Sequence, residues 1–243
     1  MTSKIALVTG AGRANGLGIA AARALAEQGF HIIVTARAQS QAEEQAAALR
    51  AEGHIAEAHQ LDLGDTHTFT ALAEQIAASH GHLDVLINNA SVFPDMNTGT
   101  ALDAPFEDIQ AAFDVDVVGP WALIIALRPL LEAAPAARVV NISSGAYQQI
   151  SYLGEHRGDV GAPAYSFAKH TLNYLTVMLA AAFRDTNVLV NSVDPGRADT
   201  HPELGTDEED VPPSVAARWI VEVATLPDNG PTGAIFLDGQ QIG

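Results

Sequence analysis

The stretch "IALVTGAGRANGLGIAAARALAEQG", residues 5–29, decides the architecture. It opens on an apolar, β-rich run, passes glycines at 10, 12, 16 and 18, and ends in an alanine-rich helical pattern. The first N–H groups of a helix have no internal partners, and the helix dipole favours negative charge beside them. A strand-to-helix turn of this kind is an anion site whose usual guest is phosphate. Glycine permits positive φ and lets a ligand approach the backbone closely. The strict G-x-G-x-x-G fingerprint is broken, because Asn15 stands where the third glycine belongs. Taken alone, the stretch reads equally as a tight turn packing a helix on a sheet.

The alternation continues along the chain. "HIIVTA" (31–36), "IAEAHQL" (55–61), "LDVLIN" (83–88), "ARVVNIS" (137–143), "NVLVNSV" (187–193) and "GAIFLDG" (233–239) read as further strands. Helical patterns fall near 16–28, 40–52, 66–79, 105–132, 163–183 and 213–226. Seven strands separated by helices predict a parallel sheet covered on both faces. The 243 residues fit one large domain, 1–243, with no linker, repeat or low-complexity segment.

The formal charge of −17 carries no basic footprint, which argues against nucleic acid and anionic membrane surfaces. Absence of cysteine excludes disulfides, thiolate metal sites and a cysteine nucleophile. The nine histidines form no H-E-x-x-H pattern, and "HGH" at 80–82 reads as a turn before a strand, so no metal is expected. The run "VVGPWALIIAL" (117–127) is too short to span a bilayer, and no signal peptide is visible. A soluble, cytoplasmic protein is expected.

In an open α/β sheet, ligands bind beyond the carboxyl ends of the strands. For a dinucleotide, an acid about 20 residues past the glycines holds the adenosine 2′-OH, whereas an arginine there suits a 2′-phosphate. Arg37 occupies that place, with no acid from Phe30 to Ala42. Later strand ends carry "LDL" (61–63), "NNAS" (88–91) and "SSGAY" (143–147), and the next helix opens on "YSFAK". That puts Tyr165 and Lys169 at i and i+4 on one helix face.

Together with "NISS", "PAYSFAKHTLN", "VNSVDPG" and "LPDNGPTGAIFLDGQ", these motifs resemble the classical short-chain dehydrogenase/reductase family over essentially the whole chain. The likeness is greatest to bacterial carbonyl-reductase-like members. It implies a Rossmann-type, doubly wound domain with a seven-stranded parallel sheet. It also implies an NADP(H)-dependent oxidoreductase that reduces a small neutral ketone or aldehyde by hydride transfer. Tyr165 would be the acid–base, Lys169 would support it and bond the nicotinamide ribose, and Ser144, rather than Ser143, would steady the substrate oxygen. Free tyrosine titrates near ~10, and an ammonium one turn away favours the phenolate. The glycine turn, with Gly10, Gly12, Arg13, Asn15, Gly16, Leu17 and Gly18, would wrap the pyrophosphate, with Arg13 adding charge near the adenosine end. Asp62 and Leu63 would meet the adenine, Asn89 and Ala90 line the groove, and Pro195, Gly196 and Thr200 border the nicotinamide.

Three departures from the family pattern stand out. Counted from Thr9, the glycine turn is two residues longer than T-G-x-x-x-G-x-G; counted from Gly12 the spacing is kept, but Ala11 replaces the threonine, and "NNAG" reads "NNAS" with Ser91. The family's helix-borne asparagine, which holds a water connecting the lysine to solvent, is replaced in register by Asp116. A carboxylate there adds negative charge beside Lys169 and predicts a bias towards reduction at neutral pH. The alternative is an NADP-binding sensor or regulatory protein that has lost turnover. The segment Asp199–Asp210 holds Asp199, Glu203, Asp207, Glu208, Glu209 and Asp210 without a cation, which disfavours acidic partners. An insert of roughly eight residues before Tyr165 holds Tyr147, Tyr152 and His156, expected to line an aromatic or alicyclic substrate site. Leu172, Leu175, Met178 and Leu179 suggest surplus apolar surface and a homo-oligomer (dimer or tetramer), with a monomer as the alternative.

Overall fold

A computed structural model describes residues 3–147, 161–200 and 207–242. Strands β1 (Ile5–Val8), β2 (His31–Ala36), β3 (Ala56–Gln60), β4 (Val85–Asn88), β5 (Ala137–Ile142), β6 (Val188–Asp194), β7 (Ile235–Leu237) and β8 (Gln240–Gln241) form one sheet. Their spatial order is β3-β2-β1-β4-β5-β6-β7-β8. The order reverses between β1 and β4, and a crevice opens there beyond the strand ends. Central strands are apolar on both faces: β1 is buried throughout, as a sheet covered by helices on both sides requires.

One face carries α1 (Leu17–Glu27), α2 (Gln39–Ala51) and α7 (Pro213–Ala224). Small residues Ala21, Ala22, Ala216 and Ala217 let these helices approach a core of Val8, Leu25, Ile32 and Ile220. The other face carries α3 (Phe69–Ser79), α5 (Gly119–Ala133) and α6 (Pro163–Ala182) over Leu7, Leu86, Leu123 and Val139. Buried polar side chains pin α6 to the sheet: Asn88 donates to Asn141, Asn141 to Thr176, and Thr176 bonds Ser192.

Two elements differ from the expectation. The sheet has eight strands, because β8 returns antiparallel to β7. Asp238 and Gly239 both take positive φ (49° and 77°), the backbone of a two-residue hairpin turn. That Asp-Gly signal was readable, but a two-residue strand leaves no alternation to detect. The helix expected near 105–132 is α4 (Phe106–Phe113), a π turn (Asp114–Val118) and α5 in series. This series, Phe106–Ala133, is long and apolar enough to cross a membrane, more than the short run 117–127 suggested. It lies instead along the sheet, with Leu123, Ile124, Leu127 and Leu131 in the core. A π turn inserts one extra residue per turn and re-aims the side chains it carries. Gly119 makes room for it: a β-carbon there would stand 2.7 Å from the Leu63 carbonyl oxygen.

Candidate functional site

A cleft of about 470 Å³ runs along the carboxyl ends of the strands. The glycine turn forms one wall. Thr9 is buried, and its hydroxyl accepts the N–H groups of Asn89 (3.0 Å) and Ala90 (2.9 Å). This draws the β4 end so close that a β-carbon on Gly10 (φ +67°) would stand 2.6 Å from Ala90 Cα. Gly12 lies as near to Ala36, again 2.6 Å from a built β-carbon to Ala36 Cβ. Gly16 is the N-cap of α1 and brings no side-chain cap, so the first amides of the helix are left for a ligand. Gly16 and Leu17 line the cleft with Gly10 and Gly12.

Arg13 also lines the cleft, and its guanidinium donates to the Thr200 carbonyl at 3.0 Å. It thus ties the glycine turn to the loop after β6, beyond the charge expected of it. Two residues of the turn sit elsewhere. Asn15 borders an adjacent hollow with Arg23 and Asp210. A β-carbon on Gly18 would meet the Asn89 amide at 2.5 Å, so its smallness serves packing.

Arg37 follows β2 directly, is exposed, and lines the cleft with Asp62 and Leu63. Its carbonyl accepts from Gln60 on β3, which anchors the backbone that carries it (2.9 Å). Asp62 folds onto the Gly64 N–H in a local turn (3.0 Å), and Leu63 is buried. Asn89 and Ala90 line the cleft too, but the Asn89 amide is engaged with the Thr9 and Gly10 carbonyls (2.8 and 3.2 Å). Its role there is to clasp two strand ends.

Ser144, Tyr165 and Lys169 line the same cleft, as do Pro195, Gly196 and Thr200. Ser144 is half-buried, while Ser143 is buried and its hydroxyl makes no hydrogen bond among the described residues. Lys169 lies fully inside, with its Nζ 5.5 Å from the Tyr165 ring centre. It donates to the Ile142 carbonyl at 2.9 Å and pairs with Asp116 Oδ1 at 2.9 Å. The π turn aims Asp116 inward, and both partners are almost wholly removed from solvent. Burial alone would push the Lys169 ammonium down. The charges of Asp116 and Tyr165 more than offset it and hold the group above its ordinary value.

A tyrosine–lysine couple beside a glycine turn in this strand order matches a family pattern. The family model described as short chain dehydrogenase matches residues 4–209. The chain belongs to the short-chain dehydrogenase family. It is 33% identical over 213 residues (87% of this chain, 79% of the relative) to the uncharacterized oxidoreductase YohF of Escherichia coli. It is also 33% identical over 239 residues (96% and 88%) to a cis-4-hydroxycyclohexanecarboxylate dehydrogenase of Sinomonas cyclohexanicum. Among solved structures, a metagenomic short-chain oxidoreductase in complex with NADP superposes with TM-score 0.76 at 31% identity, covering 95% of this chain and 94% of that one. The protein is an oxidoreductase of this family with the family's Rossmann-type fold.

Several contributors to this short-chain dehydrogenase site escaped the sequence. Asp95 is buried and accepts the N–H groups of Ala164 (2.6 Å) and Tyr165 (3.3 Å), so a carboxylate from the loop after β4 caps α6. The N-cap residue Ala162 sits at φ +50° and is held by the Thr98 carbonyl at 2.9 Å. Phe93 stacks on the Tyr165 ring, centroids 4.4 Å apart. No spacing rule links residues 93–98 to a helix some seventy positions later.

Two expectations are corrected. Leu172, Leu175 and Leu179 belong to the core, and only Met178 of the four is exposed. Besides Met178, the large apolar side chains exposed on α5 and α6 are Trp121, Ile125, Phe167, Tyr174 and Val177. The acidic segment 199–210 is also partly matched, because Arg197 just before it pairs with Asp207, Asp210 (2.9 Å) and Glu209 (3.9 Å). Glu203, Tyr152 and His156 lie outside the described residues, and Tyr147 closes the short turn Gly145–Tyr147.

Proposed function

We propose that this protein is an NADPH-dependent reductase of small neutral ketones or aldehydes. The observation that carries the reading is a single cleft with Arg37 on one wall and Ser144, Tyr165 and Lys169 on another. The uncapped start of α1 fits a pyrophosphate, and the close approaches at Gly10 and Gly12 hold the turn in a shape that a side chain at either glycine would disrupt. Arg37, with no acid from Phe30 to Ala42, suits the 2′-phosphate through charge-assisted hydrogen bonds. Bound there, the reduced cofactor supplies a hydride to the carbonyl carbon.

The chain's own residues do the rest. Ser144 Oγ donates a hydrogen bond to the substrate oxygen, and Tyr165 Oη gives that oxygen its proton as negative charge gathers on it. Lys169 donates one of its three N–H groups to the Ile142 carbonyl and is ion-paired with Asp116, which leaves donor capacity for the cleft. Asp95 and Phe93 hold Tyr165 in place. This intact arrangement favours turnover over a cofactor-binding sensor. The Sinomonas relative is named for a ring alcohol bearing a carboxylate. We place this chain's substrate among uncharged alicyclic or aromatic carbonyls, because Asp199 and its neighbours keep a net negative charge. Partners on this reading are a small-molecule carbonyl or alcohol and further copies of the chain.

The test is kcat/KM with NADPH and with NADH against cyclohexanone, benzaldehyde and 4-oxocyclohexanecarboxylate. NADPH should be preferred by about 100-fold, and Arg37→Asp should abolish that preference by removing about 2–3 kcal/mol of charge-assisted bonding. An NADH preference in the natural chain overturns the cofactor assignment. Failure of all three carbonyls with tight NADPH binding selects the sensor. Faster turnover of the carboxylate than of cyclohexanone refutes the charge argument.

A further inference from the structure

Away from the cleft, the sheet gathers a group of side chains that the oxidoreductase reading leaves unused. β2 begins with His31, and β3 places Glu57 and His59 on one face by its two-residue period. Ile33 pairs with Glu57 across the strands, so His31 lies diagonally opposite on that face. Helix α3 ends over it with His80 as its C-cap residue. His80 Nε2 stands 2.9 Å from Glu57 Oε1, His59 Nε2 3.5 Å from the same oxygen, and His31 Nε2 3.9 Å from Glu57 Oε2. The His31 and His80 rings meet edge to face at 4.8 Å. All four residues are half-buried, and none lines the cleft.

One carboxylate needs one cation, yet three imidazoles converge on Glu57. We propose that His31, Glu57 and His80 form a binding site for a divalent transition-metal ion of the zinc type. The donor atoms of these three all lie within 4.8 Å of one another. Tetrahedral zinc with bonds of about 2.0–2.1 Å sets its ligand atoms about 3.3 Å apart. The donor atoms now stand up to 4.8 Å apart, so binding would draw the side chains together onto that spacing. Imidazole nitrogens with one carboxylate suit zinc, cobalt or nickel and do not suit calcium or magnesium, which take oxygen shells.

An ion here ties β2, β3 and α3 together, so its effect falls on stability and leaves the reaction untouched. "HGH" at 80–82, which reads as a simple turn, divides its work: His80 joins this group and His82 pairs with Asp84 at 3.2 Å.

The experiment is calorimetric titration of the chelator-treated full chain with zinc chloride at about pH 7.5, where histidine is largely neutral. Thermal unfolding is followed with and without the metal. One zinc per chain should bind with a Kd of about 10 µM or tighter and raise Tm. His80→Ala and Glu57→Gln should each weaken binding by about tenfold or more and abolish the Tm rise. His82→Ala should bind as the natural chain does. If His80→Ala does not fold, His31→Asn takes its place. Stoichiometry well below one, or unchanged affinity in the His80 or His31 variant and in Glu57→Gln, overturns the proposal.

Discussion

Replacing Asp116 by asparagine removes one charge from the interior and keeps the shape of the side chain. Asp116 and Lys169 are 2.9 Å apart, with side-chain exposures of 0% and 3%. At that distance an effective dielectric of about 20 gives an attraction of about 6 kcal/mol, equal to about four pH units. Resolvation and relaxation oppose it, so we expect about one to two units to be realised. The sign follows from the structure. Burial pushes the Lys169 ammonium down, and Asp116 is the largest influence raising it. Without the carboxylate, the Tyr165–Lys169 couple loses its next proton at lower pH, whichever residue carries it. Alcohol oxidation needs the deprotonated couple, whereas carbonyl reduction needs the tyrosine proton. On the proposed function we expect the natural chain to favour reduction at neutral pH, and the rising limb of its oxidative profile should move about one to two units lower in Asp116→Asn. The assay is the initial rate of secondary-alcohol oxidation with NADP+ from about pH 6 to 10.5. Superimposed profiles, or a limb moved to higher pH, refute the reasoning. Stability gives a second readout. A lysine raised in the fold contributes fully below its ordinary value of 10.5 and loses that contribution as pH rises through the folded value. Tm of the natural chain should therefore fall more steeply above pH 10.5 than Tm of Asp116→Asn.

Further predictions concern the helix that carries Tyr165 and the exposed apolar face. Asp95→Ala leaves two N–H groups at the start of α6 without their acceptor, which should cost about 2–3 kcal/mol of stability and lower kcat about tenfold. NADPH affinity should stay unchanged and Asp95→Asn should recover part of kcat, so equal loss of cofactor binding would contradict a positioning role. Trp121, Ile125, Tyr174, Val177 and Met178 are exposed on α5 and α6, and we propose that they bury against another copy of the chain. Light scattering should show a dimer or tetramer that Ile125→Glu dissociates, and a monomeric natural chain would refute this.

The parallel sheet, its helices and many of the residues that line the cleft are legible in the linear order of residues. Apolar runs such as "IALV" need burial on both faces, alanine-rich periods supply the cover, and glycines mark where a strand meets a helix. Tyr165 and Lys169 come together through helical spacing alone, which one segment contains. The short-range pattern also placed Arg37 and Ser144 at strand ends, where the topology opens the cleft. Tertiary structure decided what depends on distant segments meeting. The π turn that aims Asp116 at Lys169, the Asp95 clamp on α6, the Arg13 bond to Thr200 and the convergence of His31 and His80 on Glu57 each join elements far apart in the chain. Periodicity reports which face of one element is buried, and carries no information about which polar atom of another element will stand against it. It also misassigned Leu172, Leu175 and Leu179, because a helix flanked by both a sheet and its neighbours buries more of its circumference than one stripe suggests.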